Sequence, residues 1–140
     1  MSNFKLTNNS GKLLQAVREY RDEKLEEIGQ RAEDYAQRLT PVGTPESTGI
    51  AGYRGGTLRK SITHKVIDDT VYVGSNVEYA PYVELGTGIY ATDGNGRKSP
   101  WVWVDKNGKA HYTRGMEPKH MLKKSIADHL DEYKKIIKKP

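Results

Sequence analysis

The 140-residue sequence contains no cysteine, which excludes disulfide bonds and thiolate metal sites. Long apolar runs are also missing, and no stretch approaches the roughly 18 consecutive apolar residues that a membrane-spanning helix needs. No apolar run follows the N-terminus, so we expect no signal peptide. Only 35% of the residues are hydrophobic. We therefore expect a modest core and a single domain over residues 1–140.

The net charge of +5 is concentrated near the C-terminus. Residues 1–40 carry seven basic and seven acidic side chains, whereas residues 114–140 carry eight basic and four acidic ones. Lysine runs such as those at 134–135 and 138–139 usually form solvated tails. Phosphate binding is the minority interpretation, because no aromatic or arginine-rich segment accompanies these lysines.

Patterns that would force catalytic groups to converge are missing. The four histidines are far apart in the sequence: His64, His111, His120 and His129. None of them forms a metal-binding HxH or HExxH motif, and the chain has neither a Walker-type loop nor a GxSxG motif. Asp68 and Asp69 fit a hairpin turn better than a catalytic carboxylate pair. The sequence therefore predicts no catalytic residues, no cofactor and no metal ligands, and it favours a protein that is not an enzyme.

Hydrophobic periodicity predicts two long helices. The first covers residues 11–39, can be capped by Asn9 or Ser10, and ends before Pro41. Its apolar face contains Leu14, Val17, Leu25, Ile28, Ala32, Tyr35 and Leu39. Gly29 costs this helix roughly 1 kcal/mol relative to alanine. The second helix opens at Pro118 and runs to about Lys138. Its apolar stripe contains Leu122, Ile126, Leu130, Tyr133 and Ile137.

Two hairpins are predicted between these helices. The first pairs residues 61–67 with 70–74, and the second pairs 101–104 with 110–113 around an Asn-Gly turn. A short helix lies between them, with Pro81 in its first turn and Gly86 at its end. Glycine and proline predict mobile loops at residues 43–56 and 88–100. Because an isolated two-stranded ribbon is marginally stable, we expect the hairpins to form a small sheet covered by the helices, which makes a two-layer α+β fold.

Aromatic residues cluster in the middle third of the chain: Tyr79, Tyr82, Tyr90, Trp101, Trp103 and Tyr112. Sheet packing and an oligomer interface explain this cluster about equally well. Stacking on nucleic acid explains it less well, because the neighbouring charge is balanced. We expect Tyr79 and Tyr82 to be largely buried. The candidate interface residues are Tyr53, Arg54, Tyr90, Trp101 and Trp103.

The segment Tyr79-Ala80-Pro81-Tyr82-Val83-Glu84-Leu85-Gly86-Thr87-Gly88 resembles a signature of small minor tail-component, or tail-completion, proteins of long non-contractile-tailed bacteriophages. Segments 40–42, 58–62 and 115–122 agree with that family in order, so the resemblance covers nearly the whole chain. The motif residues expected to have a structural role are Tyr79, Ala80, Pro81, Tyr82, Val83, Glu84, Gly86, Thr87, Pro118 and Leu122. The chain departs from the family by an insertion at residues 43–56 and by a second hairpin at 101–113. It also has His120-Met121-Leu122 where the family typically has Pro-Phe-Leu.

The resemblance implies a structural virion protein of the neck, assembled in the host cytoplasm. It implies a homo-oligomeric ring, of six copies, that joins the tail to the head connector. The implied neighbours are head-completion or connector proteins and tail-terminator or tail-tube proteins. Double-stranded DNA would pass through the lumen without sequence-specific binding, and no membrane would be involved. The alternative is a small basic protein that acts on nucleic acid, such as an RNA-cleaving toxin, since the isoelectric point is about 9.3 and His, Tyr and Arg are scattered along the chain.

Overall fold

The computed structural model describes residues 3–44 and 54–140. The helices in these ranges are α1 (Ser10–Leu39), α2 (Thr57–Ser61), α3 (Ala80–Leu85), α4 (Met121–Ala127) and α5 (Leu130–Lys138), with a short 3₁₀ turn at Gly88–Tyr90. The strands are β1 (Thr63–Ile67), β2 (Thr70–Gly74), β3 (Trp101–Val104) and β4 (Ala110–Thr113). The predicted α+β fold class, with a long first helix, two hairpins and a C-terminal helical region, is confirmed.

Helix α1 has nearly the predicted bounds. At its end, Thr40 has an extended backbone with ψ 123°, because a residue that precedes proline disfavours helical geometry. The Thr40 hydroxyl donates a hydrogen bond to the Ala36 carbonyl at 2.6 Å. The predicted side-chain cap from Asn9 or Ser10 is absent from the described structure. The side chain of Asn8 instead accepts a hydrogen bond from the Ser10 N–H at 2.9 Å.

The two hairpins form two separate antiparallel sheets within the described residues, and not the single small sheet that we expected. Thr63 lies opposite Gly74 in the first hairpin, and Trp101 lies opposite Thr113 in the second. The first hairpin packs along α1, whereas the second makes its main contacts within itself. The turns lie where they were predicted. Asp68 and Gly108 have positive φ values of 54° and 79° there, which aspartate tolerates and glycine adopts without strain.

The core consists of two clusters along α1. The first contains Ala36, Leu58, Ile62, Ala80 and Met121, and the second contains Ile28, Ala32, Tyr133 and Ile136. Ala32 and Ala36 are fully buried, since their small side chains let other elements approach the helix closely. Leu58 enters the core from α2, a short helix that was not predicted. Helix α1 is therefore the element around which the first hairpin, α2, α4 and α5 pack.

The predicted C-terminal helix is wrong in two respects. It begins at Met121 and not at Pro118, because the backbone N–H groups of Lys119 and His120 donate to the carbonyls of Val83 and Glu84 at 2.9 and 3.2 Å. His120 also has a left-handed φ of 49°, which is incompatible with a helix.

The helix is also interrupted between α4 and α5, where the ring of His129 stacks on Tyr35 with ring centroids 3.5 Å apart. As a result Tyr133 and Ile136 face α1. Leu130 and Ile137, both predicted in the apolar stripe, are 47% and 54% exposed.

Candidate interaction surfaces

The motif residue Glu84 joins α3 to the start of α4. Its carboxylate accepts hydrogen bonds from the backbone N–H groups of Leu122 at 2.9 Å and Lys123 at 3.0 Å. The first amides of a helix have no acceptor within the helix, and a negative charge is favourable near them. Glu84 therefore satisfies the start of a helix that lies 38 residues further along the chain. Sequence spacing gave no sign of this pairing.

Two chain segments cross directly after α3. The Thr87 N–H donates to the Met116 carbonyl at 2.9 Å, and the Met116 N–H donates to the Thr87 hydroxyl oxygen at 2.8 Å. A Cβ atom on Gly88 would lie 1.9 Å from the Arg114 carbonyl oxygen, and one on Gly115 would lie 2.1 Å from the Thr87 carbonyl oxygen. Both positions therefore require glycine. Gly88 was predicted in a loop, but the close approach of a second segment was not predicted.

Tyr79 and Tyr82 are 45% and 61% exposed, so the prediction that they are largely buried is wrong. Helix α3 has only six residues, and only one of its faces is turned towards the core. Ala80 is buried and Val83 packs against the first core cluster, and these two residues have the i,i+3 spacing of one helical face. Tyr82 lies two residues after Ala80, on the other side of the helix. Pro81 in the first turn and the stop at Gly86, with φ 81°, agree with the prediction.

Tyr82 lines an open cleft of about 370 Å³ beside the loop at residues 91–100. Trp101 also lines it, and the Arg97 guanidinium lies 5.6 Å from the centre of the Trp101 ring. Asp93 supplies the one carboxylate among the described lining residues. One carboxylate and one guanidinium do not form an acid–base or nucleophile arrangement. The cleft thus offers aromatic surface and a cation.

The second hairpin exposes two different faces. On one face the Trp103 ring stacks on His111 with ring centroids 4.3 Å apart, and the His111 Nε2 atom lies 2.8 Å from the Asp105 carboxylate. Hydrogen bonding to His111, together with the backbone N–H groups of the turn, holds the pKa of Asp105 below its usual range. The other face is apolar and exposed, with Val102 60%, Val104 62% and Tyr112 66% exposed. We call these three residues the hairpin outer face.

The remaining candidate interface residues are dispersed. Tyr90 is 40% exposed and Trp103 is 42% exposed, while Trp101 is half-buried. Arg54 is exposed. Tyr53 lies outside the described residues, as does much of the loop predicted at 43–56. For residues 88–100, mobility stays a prediction; the described backbone there hydrogen-bonds from the Thr92 N–H to the Leu85 carbonyl at 2.9 Å.

A second exposed apolar surface is the start of α1, residues 10–20, which we call the uncovered segment. Every residue in it is exposed, including Leu13 at 67%, Leu14 at 51% and Val17 at 55%. Leu14 and Val17 were predicted on the core-facing stripe, so that part of the prediction is wrong. The physical reason is the limited reach of α5. Its C-terminal end lies beside Tyr20, whose hydroxyl donates to the Lys139 carbonyl at 2.5 Å.

A family model for the bacteriophage HK97-gp10 tail component matches residues 4–86, which is more than half of the chain. The chain belongs to this family. The match includes α1, the first hairpin and the motif up to Gly86, and it confirms the resemblance to tail-component proteins. No curated protein and no solved structure matches the chain. The protein is therefore a bacteriophage tail component and a virion protein, and nothing in these comparisons supports the toxin alternative.

A half-buried histidine of this tail component, His64, links β1 to α1. The His64 ring lies between two carboxylates, with Nδ1 2.5 Å from Glu33 and Nε2 2.9 Å from Glu26. Burial lowers the pKa of His64, but the hydrogen bonds with both glutamates outweigh burial and leave the pKa above its usual value. A Cβ atom on Gly29 would lie 2.4 Å from the His64 ring. The glycine that appears costly in α1 therefore makes room for this histidine.

A second charged cluster links α1 to α5. Glu132 accepts hydrogen bonds from the Tyr35 hydroxyl at 2.7 Å and from the Arg31 guanidinium at 2.6 Å. These bonds, that of Tyr35 foremost, lower the pKa of Glu132. Burial raises the pKa of the neighbouring Tyr133 to about 12, and its hydroxyl donates to the Ser125 carbonyl at 2.5 Å. Each partner in these clusters is already engaged within the chain, so the clusters hold the tail component together and leave no free catalytic group among their members.

Across residues 3–44 and 54–140, no set of three or more histidine, aspartate or glutamate side chains is placed to hold a metal ion. In the same part of the tail component, no helix is long and apolar enough to cross a membrane.

Proposed function

We propose that this tail component is an assembly protein of the head–tail junction, where six copies form a closed ring around the DNA channel and join the tail to the head connector. One observation carries the proposal. The uncovered segment of α1 and the hairpin outer face are two exposed apolar surfaces, and both lie where the described chain offers nothing to cover them.

Exposed apolar surface of this kind points to protein partners. Single exposed apolar side chains are common on soluble proteins, but contiguous apolar patches mark interaction sites. Leu13, Leu14 and Val17 are neighbours on one helix, and Val102 and Val104 share one strand face with Tyr112 beside them. In a ring, one of these surfaces can serve the contact with a lateral neighbour, and the other can serve a partner along the tail axis.

Closed symmetry suits a chain of this size. A stable specific interface needs roughly 800 Å² from each partner, which is about a tenth of the surface of a small protein. Repeating one modest contact around a ring multiplies its effect. In this proposal the axial partners are the head-completion or connector protein on one side and the tail-terminator or tail-tube protein on the other. DNA slides through the lumen, because few phosphate contacts hold it.

The experiment that tests this function is deletion of the gene, followed by electron microscopy of the lysate. We expect filled heads and complete tails that are not joined, because only the adaptor is lost. A plasmid copy of the gene should restore joined particles, and this serves as the control. Unfilled heads alone, or intact infectious particles, would show that the protein acts elsewhere.

A further inference from the structure

We infer that the exposed lysines of α4 and α5 face the lumen of the proposed ring and contact the phosphate groups of the DNA inside it. The inference rests on the proposed function, because it assigns one surface of the subunit to the DNA channel. We call these side chains the lysine face: Lys123, Lys124, Lys134, Lys135 and Lys138.

The lysine face belongs to two helices that pack against α1. Met121 and Ser125 are fully buried in α4, and Tyr133 and Ile136 are buried in α5. These residues turn one side of each helix towards the core, and all five lysines are exposed. The lysines of α5 therefore project from a packed helix and not from a loose tail.

The chain itself does not neutralise this positive charge. None of the five lysines has an acidic partner among the described residues. The carboxylate of Glu132 is already bound by Arg31 and Tyr35. Within residues 121–138, Asp128 and Asp131 are the remaining acidic side chains against five lysines. Residues 1–40, by contrast, carry equal numbers of basic and acidic side chains. The surface therefore fits a partner that is strongly negative.

The residue types favour phosphate over an acidic protein as this partner. Lysine is depleted in protein–protein interfaces, where arginine and aromatic side chains are enriched. Helices α4 and α5 contain no arginine, and Tyr133, their one aromatic residue, is buried. A lysine ammonium is a compact, hydrated point charge, whereas arginine forms rigid two-pronged hydrogen bonds. Phosphate contacts that do not depend on sequence let a protein slide along DNA. The lysine face therefore suits a duplex that moves past the subunit.

Substitution of the lysines tests the contact on the purified full-length chain. We measure the Kd for a fluorescently labelled duplex of random sequence by fluorescence anisotropy, between about 50 and 200 mM salt. The variant K123Q/K124Q/K134Q/K138Q should bind at least about tenfold more weakly than the wild type at the lower salt concentration. The slope of log K against log salt concentration should become shallower by about 0.9 for each phosphate contact that is lost.

The matched control is K5Q/K12Q/K106Q/K109Q, which removes the same charge from exposed lysines elsewhere and should bind nearly as well as the wild type. Lysine and glutamine have nearly equal helix propensities, so both variants should fold, and circular dichroism checks this. Equal weakening in the two variants would mean that only net charge matters, and the lysine face would be overturned. A wild-type chain that binds no duplex at about 50 mM salt overturns it as well. Displacement of the duplex by polyglutamate at equal charge would assign the face to an acidic protein instead.

The position of the face in the lumen is tested in assembled particles. Because the chain has no cysteine, a single Lys134→Cys substitution can carry a photo-cross-linker, with the variant supplied from a plasmid to the phage that lacks the gene. We expect cross-links to the packaged DNA from position 134, and none from Lys106→Cys at the tip of the second hairpin. Cross-links from position 106 alone would overturn the inference. The gene deletion tests the proposed function separately, since heads and tails can stay unjoined without the protein whichever surface faces the DNA.

Discussion

The two halves of α1 have similar apolar spacing but very different burial. In the C-terminal half, Ile28 is 6% exposed and Ala32 and Ala36 are fully buried. In the N-terminal half, Leu14 and Val17 are about half exposed, although they continue the same stripe. The difference comes from the elements alongside: β1, α4 and α5 contact the C-terminal half, and α5 stops near Tyr20. An apolar stripe therefore predicts which face of a helix can be covered, but not how much of that face the chain itself covers.

Truncating one apolar side chain in each half of α1 should give the largest contrast in the free energy of unfolding. Ile28→Ala removes most of a buried side chain from the second core cluster, so we expect it to lower the free energy of unfolding by about 2–5 kcal/mol. Leu14→Ala should change it by less than about 0.5 kcal/mol in the monomer, because the side chain is exposed. Urea unfolding at a concentration where the chain is monomeric measures both. A large loss for Leu14→Ala would mean that the uncovered segment packs within its own chain.

The two glycines of α1 allow the same comparison between its two halves, with a smaller expected change in stability. Alanine is favoured over glycine within a helix by up to about 1 kcal/mol, and no atom lies within 4 Å of a Cβ placed on Gly11. Gly11→Ala should therefore stabilise the chain slightly. Gly29→Ala should destabilise it by about 1–3 kcal/mol, because the new methyl group overlaps the His64 ring. Thermal unfolding of both variants measures these two changes in stability. Stabilisation by Gly29→Ala would show that His64 moves away freely.

The smallest expected effect is a pH dependence confined to the C-terminal half. The pKa of folded His64 lies above its usual value, so the protonated ring stabilises the fold below an unfolded pKa of about 6.5. That stability is lost as the pH rises through the folded pKa. We expect the urea midpoint of the wild type to fall between about pH 6 and pH 8, and to fall less in His64→Gln. The control is His120→Asn, since His120 has no carboxylate partner in the described structure and asparagine tolerates its positive φ. If the urea midpoint changes equally with pH in the wild type and in His64→Gln, His64 is not the cause of the pH dependence.

Local chemistry made much of the fold predictable from the sequence. Pro41, Gly86 and the Asn107-Gly108 turn each act through the backbone of their own segment, and the elements that they delimit are where we expected them. The prediction of the C-terminal helix was wrong for the opposite reason. Its start depends on Lys119 and His120 bonding to α3, and its interruption accompanies the stacking of His129 on Tyr35. Both features depend on contacts with residues far away in the sequence. The hydrophobic periodicity of one segment cannot reveal such contacts.

The candidate surfaces were less predictable than the fold. Aromatic content drew attention to the second hairpin, whose role as an interface stays a prediction. The expectation that Tyr79 and Tyr82 lie in the core was wrong, because a six-residue helix gives too short a pattern to assign its faces. Nothing in the sequence marked Glu84 as a partner of α4, since 38 residues separate the two groups. The exposure of the uncovered segment was also hidden, because it is set by where α5 ends in space.

The crossing of Thr87 with Met116 has a consequence for how such proteins diversify. Because the chain leaves and returns at one hydrogen-bonded point, residues 89–113 form a closed excursion whose ends are fixed relative to each other. Doubling the length of a flexible loop between fixed ends costs only about 0.6 kcal/mol. The family match ends at residue 86, just before this excursion begins. The second hairpin can therefore be exchanged, lengthened or lost with little strain on α1 or the first hairpin.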